Sequence, residues 1–276
     1  MKPMKPNWGR LMLGTLVLFT LSQTPVFSGS RKEQSAAPSA APQQTPVTIL
    51  VAAAASLENA YVQELIPLFQ KNYPWITVEG IYDSSGRLQT QIEQGLEADV
   101  FMSAATRQMD ALVEENFIPA SSVKPLLQNK LVLIKPKGID TPVTGFSTIT
   151  EAQVIALGDP ATTPAGQYAQ EAFSNLGTWE EVSAKVSLGS NVTEVLNWVG
   201  EGSAEVGIVY ATDATSTPKV EIIEELPEGL LATKVIYPIG VLGASQHPEA
   251  AQLFVDFLAS PEGLGIFKAF GFSPNS

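Results

Sequence analysis

Five short stretches carry the residues that could do chemistry. Ser56 follows the small run Ala52-Ala53-Ala54-Ala55. Ser84-Ser85, Pro164-Ala165-Gly166 and Asn191-Val192 each stand between an apolar stretch and a helical pattern, and Tyr210 closes the run Val206-Gly207-Ile208-Val209. The first four share a character: each is a strand-to-helix turn of small or polar residues, and none centres on Lys or Arg. A helix start leaves backbone N–H groups without partners and gathers the positive end of the helix dipole, which suits an anion. Two of the turns add serine hydroxyls. Any one turn can equally be ordinary punctuation, because Ser, Thr and Asn cap helices. Together they describe either repeated punctuation or donors gathered round one anion. Tyr210 taken alone reads as a strand-end tyrosine with its hydroxyl in water.

The elements that would position these turns follow from apolar spacing. Residues 47–51 predict a buried strand, and Ser56 is expected to cap a helix over 57–71 carrying Leu57, Tyr61, Leu65, Leu68 and Phe69 on one face. Strands over 75–81 and 98–102 and helices over 87–94 and 106–116 continue the β-α alternation of a parallel sheet flanked by helices. The strand over 130–135 is expected to cross into a second lobe. There strands over 154–157, 185–188, 206–210 and 220–223 alternate with helices over 167–176 and 193–199. A strand over 234–241 leads back, and helices over 248–258 and 261–269 are expected to pack on the first lobe. Ligands of open α/β sheets sit at the carboxyl ends of the strands, where all four turns lie, two from each lobe.

Composition narrows the chemistry. The chain has 276 residues, no cysteine and one histidine, His247. That excludes disulfides, thiol nucleophiles, Cys-ligated metals and a multi-histidine metal site. Lys2, Lys5 and Arg10 precede the apolar run 11–21, and Val26-Phe27-Ser28 offers small residues at a cleavage site, so residues 1–28 read as a signal peptide. Residues 29–46, rich in Ser, Ala, Pro and Gln, read as a flexible linker. Removing the three cations of the signal from the net charge of −12 leaves −15. Such an acidic surface argues against nucleic acid as a partner, yet short-range dipoles can still hold a small anion.

Several blocks recur in an order that matches a known family: Ala53-Ala54-Ala55-Ser56-Leu57, Ser84-Ser85 ahead of Gln91-Ile92, Gly158-Asp159-Pro160, Pro164-Ala165-Gly166-Gln167-Tyr168-Ala169, and Gly207-Ile208-Val209-Tyr210. Over about 47–272 the chain resembles the periplasmic molybdate-binding proteins of ABC importers. The resemblance implies an α/β, two-lobed periplasmic-binding-protein fold of type II, each lobe a mixed, mostly parallel sheet flanked by helices, with the ligand cleft between lobes. Lobe I would comprise 47–129 plus 236–276, and lobe II 130–235. It implies a ligand, molybdate or tungstate, held by Ser56 and Ser85 through hydroxyl and N–H, by Ala165 and Val192 through N–H, and by the Tyr210 phenol. The metal would enter only as this oxyanion, held through its oxygens. It further implies no catalytic residue and no cofactor, a membrane permease of the ABC transporter as partner, a monomer, and a periplasmic location. A site built of donors fits a fully ionised oxyanion, since charge-assisted bonds are the strong ones.

Two positions depart from the expected pattern. Asp83 precedes the serine pair and would repel an anion unless strand alternation turns it away, and Gly86 removes a possible third hydroxyl. Arg87 could pair with Asp83 or with an anion, and reads first as a solvated surface charge. Sulfate, phosphate or a small organic solute would suit the same fold, the last if Asp83 met an ammonium group. A serine hydrolase is disfavoured: His247 lies in a surface loop and no Gly-x-Ser-x-Gly elbow is present.

Overall fold

The computed structural model describes residues 45–275. The signal peptide and nearly all of the linker expected from the sequence lie outside the described residues; Thr45 and Pro46 lead into the first strand without regular structure.

The chain opens with β1 (Val47–Ala54), a tight 3₁₀ turn at Ala55–Leu57, and a helix in three parts: α1 (Glu58–Ala60), a π turn (Tyr61–Leu65) and α2 (Ile66–Asn72). Then follow β2 (Ile76–Asp83), α3 (Ser85–Glu93), β3 (Val100–Met102), α4 (Thr106–Glu114) and β4 (Lys124–Asn129). The middle of the chain forms β5 (Leu131–Pro136), β6 (Ile155–Gly158), α5 (Pro164–Asn175), α6 (Trp179–Ser183), β7 (Val186–Gly189), α7 (Val192–Gly200), β8 (Val206–Tyr210), α8 (Ala211–Thr215) and β9 (Val220–Glu225). It closes with β10 (Val235–Val241), α9 (Pro248–Leu258), α10 (Pro261–Ala269) and the short β11 (Ser273–Pro274).

Two sheets result, one per lobe. The first has the order β11-β4-β10-β3-β1-β2 and the second β7-β6-β8-β5-β9. The β-α rhythm gives the parallel pairings β1 with β2 and β3, and β6 with β7 and β8. The strands that follow each change of lobe pair antiparallel, β5 against β8 and β9 and β10 against β3 and β4, as does the terminal β11 against β4. The chain passes from one sheet to the other between β4 and β5 and returns between β9 and β10.

Small residues govern the approach of helix to sheet. Ala52, Ala53 and Ala54 are buried at the end of β1, so nothing bulky stands between strand and cleft. A Cβ at Gly166 would lie 2.7 Å from the Gly158 carbonyl carbon, which is why α5 can press onto the end of β6. The closing helices pack on the first lobe as the pattern predicts. Phe254 of α9 meets Tyr61 and Phe69 edge-on at 5.9 and 4.9 Å, and Phe267 of α10 lies 6.0 Å from Tyr61. Apolar surface buried in this way contributes about 25 cal/mol per Å².

Candidate oxyanion-binding site

One small cavity lies where the two lobes meet. Its wall is formed by Ala54, Ala55 and Ser56 after β1, Asp83, Ser84 and Ser85 at the β2–α3 turn, Ala104 after β3, Thr163, Pro164 and Ala165 at the start of α5, Asn191 and Val192 at the start of α7, and Tyr210 at the end of β8. Ser56, Ser85, Ala165, Val192 and Tyr210 are thus brought together from two strand ends (β1 and β8) and three helix starts (α3, α5 and α7). All five are buried, Ser85 at 0% and Tyr210 at 1% exposure.

The donors face few competitors. Ser85, Ala165 and Val192 occupy the first turns of α3, α5 and α7, where an N–H has no preceding helical carbonyl to reach. Neighbouring N–H groups are taken up instead by caps: Thr163 Oγ1 accepts from Gly166 N–H at 3.2 Å, and Asn191 Oδ1 accepts from Glu194 N–H at 3.0 Å. Ser85 Oγ accepts the Ala104 N–H at 3.0 Å, which leaves the serine's own proton available. Two hydroxyls in the wall, Ser84 Oγ and Tyr210 Oη, are buried with no hydrogen-bond partner among the described residues. A buried polar group without a partner costs about 1–3 kcal/mol, so such groups are uncommon and call for an explanation. Burial, reinforced by the Tyr237 and Tyr168 hydroxyls and the Asp213 carboxylate nearby, pushes the Tyr210 phenol well above its ordinary pKa. It therefore stays protonated, as a donor. Tyr237 lies beside it with ring centres 5.6 Å apart, but its hydroxyl is engaged with Ser56 and Asn129.

Asp83 belongs to the wall, and its charge is accounted for. Oδ1 accepts from Ser84 N–H at 2.7 Å and from Asn191 Nδ2 at 3.3 Å, and Oδ2 lies 3.8 Å from Arg87 Nη1. Arg87 is half-exposed and pairs there with Asp83. Two further contacts cross between the lobes: Gly86 N–H donates to the Thr162 carbonyl at 2.9 Å, and Gln108 Nε2 donates to Gln167 Oε1 at 3.1 Å. The glycine that seemed only to lack a hydroxyl is the point where lobe II backbone rests. A Cβ there would stand 2.9 Å from both Cα and the carbonyl carbon of Thr162. Beside the cavity, and sharing Ala55 and Asn191 with it, lies an open surface hollow lined by Glu58, Glu194 and Glu201.

One expectation is corrected. Ser56 does not cap a helix: it sits inside the 3₁₀ turn Ala55–Leu57, which begins at Ala54 without a side-chain cap. The alanine run extends β1 three residues further than the apolar pattern implied and carries the serine past the cap position. Its hydroxyl bonds Tyr237 Oη instead, at 2.9 Å. Thr163, expected from the sequence only as a helix cap, caps α5 and also lines the wall; Ala104 and Tyr237 were missed. Tyr237 lies in an ordinary apolar strand with no local signal. His247 is partly buried at the start of α9 and does not line this cavity.

Residues 49–273 match the model of the bacterial extracellular solute-binding protein family. The chain belongs to that family. Among similar solute-binding proteins is the molybdate-binding protein ModA of Escherichia coli, 33% identical over 255 residues that cover 90% of this chain and 96% of the relative. A putative ABC transporter substrate-binding lipoprotein, YvgL of Bacillus subtilis, is 37% identical over 82% of this chain and 86% of its own length. Among solved structures, the periplasmic molybdate-binding protein of Azotobacter vinelandii superposes with a TM-score of 0.72 at 20% identity, covering 83% of this chain and all of the other. At that identity it speaks for the two-lobed solute-binding fold alone.

Proposed function

We propose that this solute-binding protein captures molybdate, and tungstate by the same contacts, and delivers it to an ABC importer. The observation that carries the reading is the buried Tyr210 hydroxyl, without a hydrogen-bond partner among the described residues, in a cavity that gathers serine hydroxyls and helix-start N–H groups from both lobes, with the one carboxylate in its wall, Asp83, held by Ser84 N–H and Asn191. Ser56 and Ser85 would bind through hydroxyl and N–H, Ala165 and Val192 through N–H, and Tyr210 through its phenol. A tetrahedral dianion offers acceptors on every side and no proton, which is what such a wall requires. Each bond to a charged oxygen is worth about 1.5–3 kcal/mol, so several hold the ion without a cationic side chain. The relatives named for molybdate, similar over nearly the whole chain, support the choice of ligand.

Because the donors come from both lobes, the ligand stabilises the form in which the lobes meet. We take the lobes as 47–129 plus 236–276 and 130–235, moving about the two crossings between sheets. The closed form would then dock on the permease as a monomer outside the cytoplasmic membrane, after removal of the signal peptide.

Calorimetric titration of the mature chain with molybdate, tungstate, sulfate and phosphate tests the reading. Tight one-to-one binding of the first two, weakened by Ser85→Ala, is expected. Binding of sulfate or phosphate in preference to molybdate would overturn the ligand.

A further inference from the structure

The Ser56 hydroxyl can bind an oxyanion only if its proton points into the cavity. A chain of hydrogen bonds behind it fixes that direction. Asn129, the last residue of β4, accepts the Lys130 N–H with Oδ1 at 2.9 Å. A backbone N–H can only donate, so the amide's orientation is set and Nδ2 must donate. It does so to Thr212 Oγ1 at 2.9 Å and to Tyr237 Oη at 3.2 Å. The Tyr237 oxygen is thus an acceptor from Asn129. With Asn129 donating to that oxygen, the remaining hydrogen bond of the Tyr237 hydroxyl is to Ser56 Oγ at 2.9 Å, and Tyr237 is its donor. Ser56 accepts, and its own proton is left for the cavity that the residue lines. The Ala104 N–H does the same for Ser85 from the backbone. Burial pushes the Tyr237 phenol well above its ordinary pKa, so the proton stays in place.

We propose that Tyr237, oriented by Asn129, is a positioning residue that turns the Ser56 hydroxyl toward the bound oxyanion as a donor. The inference rests on the reading of the cavity as an oxyanion site. It makes Tyr237 act through another residue, without touching the ligand. It also links the ligand's serine to the crossing between lobes, since Asn129 stands at the first crossing and Thr212 in the second lobe.

Tyr237→Phe keeps the ring that packs edge-on against Tyr210 and Phe272, with centres 5.6 and 5.4 Å away, and removes only the hydroxyl. Molybdate is titrated by calorimetry into the unaltered chain, Tyr237→Phe, Ser56→Ala and the double variant, with thermal unfolding of each free form as a check on folding. Loss of the orienting bond is expected to weaken binding about fivefold, the worth of one ordinary hydrogen bond. In the Ser56→Ala background the same change should cost less than about twofold, within the scatter of independent sites. Asn129→Ala tests the link from its other end and should show the same non-additive pattern even if Tyr237→Phe folds poorly. Equal losses with and without Ser56 would overturn the proposal, because Tyr237 would then shape the site rather than aim the serine. So would an undiminished affinity in Tyr237→Phe, or in Ser56→Ala while Ser85→Ala weakens binding; in that last case the oxyanion site stands. Failure of the unaltered chain to bind molybdate removes the site reading itself, and the inference with it.

Discussion

Gly86→Ala separates ligand grip from fold stability more cleanly than any change in the cavity wall. Gly86 is the second residue of α3, and its φ is not in the left-handed region, so alanine suits the local backbone. The obstacle lies in the other lobe. A methyl group at this position would sit 2.9 Å from two backbone carbons of Thr162 and closer still to its oxygen. Comfortable carbon contacts need about 3.5–4.0 Å. Thr162 cannot swing aside as a flexible side chain would, because its N–H is held by the Asp159 carbonyl at 3.0 Å. Lobe II must therefore retreat, and the Gly86 N–H bond to Thr162 stretches or breaks. Overpacking costs about 1–3 kcal/mol, and the lost bond about 1 kcal/mol more. Closure is then disfavoured by about 2–4 kcal/mol, a loss of roughly 30- to 1,000-fold in affinity. With the lobes apart nothing meets the methyl group, and alanine in place of glycine favours a helix by up to about 1 kcal/mol. Calorimetry with molybdate should show the weakened binding, while the ligand-free thermal midpoint holds or rises. Unchanged affinity would refute the reasoning. A fall in ligand-free stability would show that the lobes already touch without ligand.

Two further outcomes are expected. Tyr210→Phe deletes a buried hydroxyl that has no protein partner, so ligand-free stability should hold or rise slightly, while molybdate affinity falls by about 10- to 100-fold if the phenol bonds a charged oxygen; calorimetry and thermal unfolding on one sample read both. Burial pushes Asp213 up to about 7 from an ordinary 3.8, against the lowering effect of the Tyr210 N–H it accepts. The folded chain therefore keeps a proton that the unfolded chain has lost, and this group's contribution to stability declines as pH rises from about 4 to about 7, by up to about 1.4 kcal/mol per unit. Asp213→Asn should flatten that decline in urea unfolding measured at pH 5 and pH 7.5, and an identical decline in both proteins would refute the assignment.

Much of this architecture was legible in the chain. The alternation of apolar strands with helical spacing predicts both sheets and nearly all their helices, because a buried strand and an amphipathic helix each leave a period in the sequence. β4 left none: Lys124-Pro125-Leu126-Leu127-Gln128-Asn129 is short, holds a proline and does not alternate. The cavity was legible as four similar turns, since the residues that free an N–H at a helix start are the same ones that mark its boundary. Its support was not. Tyr237 and Asn129 act on Ser56 from 181 and 73 positions away, with the Ser56–Tyr237 bond spanning the larger gap, and pairing at that range has no local trace. Asp83 looked hostile to an anion because its partner, Asn191, lies 108 residues away. Gly86 looked like a missing hydroxyl because Thr162 was invisible beside it.

The acid-lined hollow beside the cavity bears on kinetics. Glu58, Glu194 and Glu201 line a surface hollow that shares Ala55 and Asn191 with the cavity, whose holding power would come from fixed dipoles inside it. Those dipoles act over a few ångströms, whereas the carboxylates repel an incoming dianion over a Debye length of about 8–10 Å at ordinary ionic strength. Added salt screens the approach and leaves the buried contacts almost untouched. Capture should therefore quicken as salt rises, the reverse of an electrostatically steered encounter.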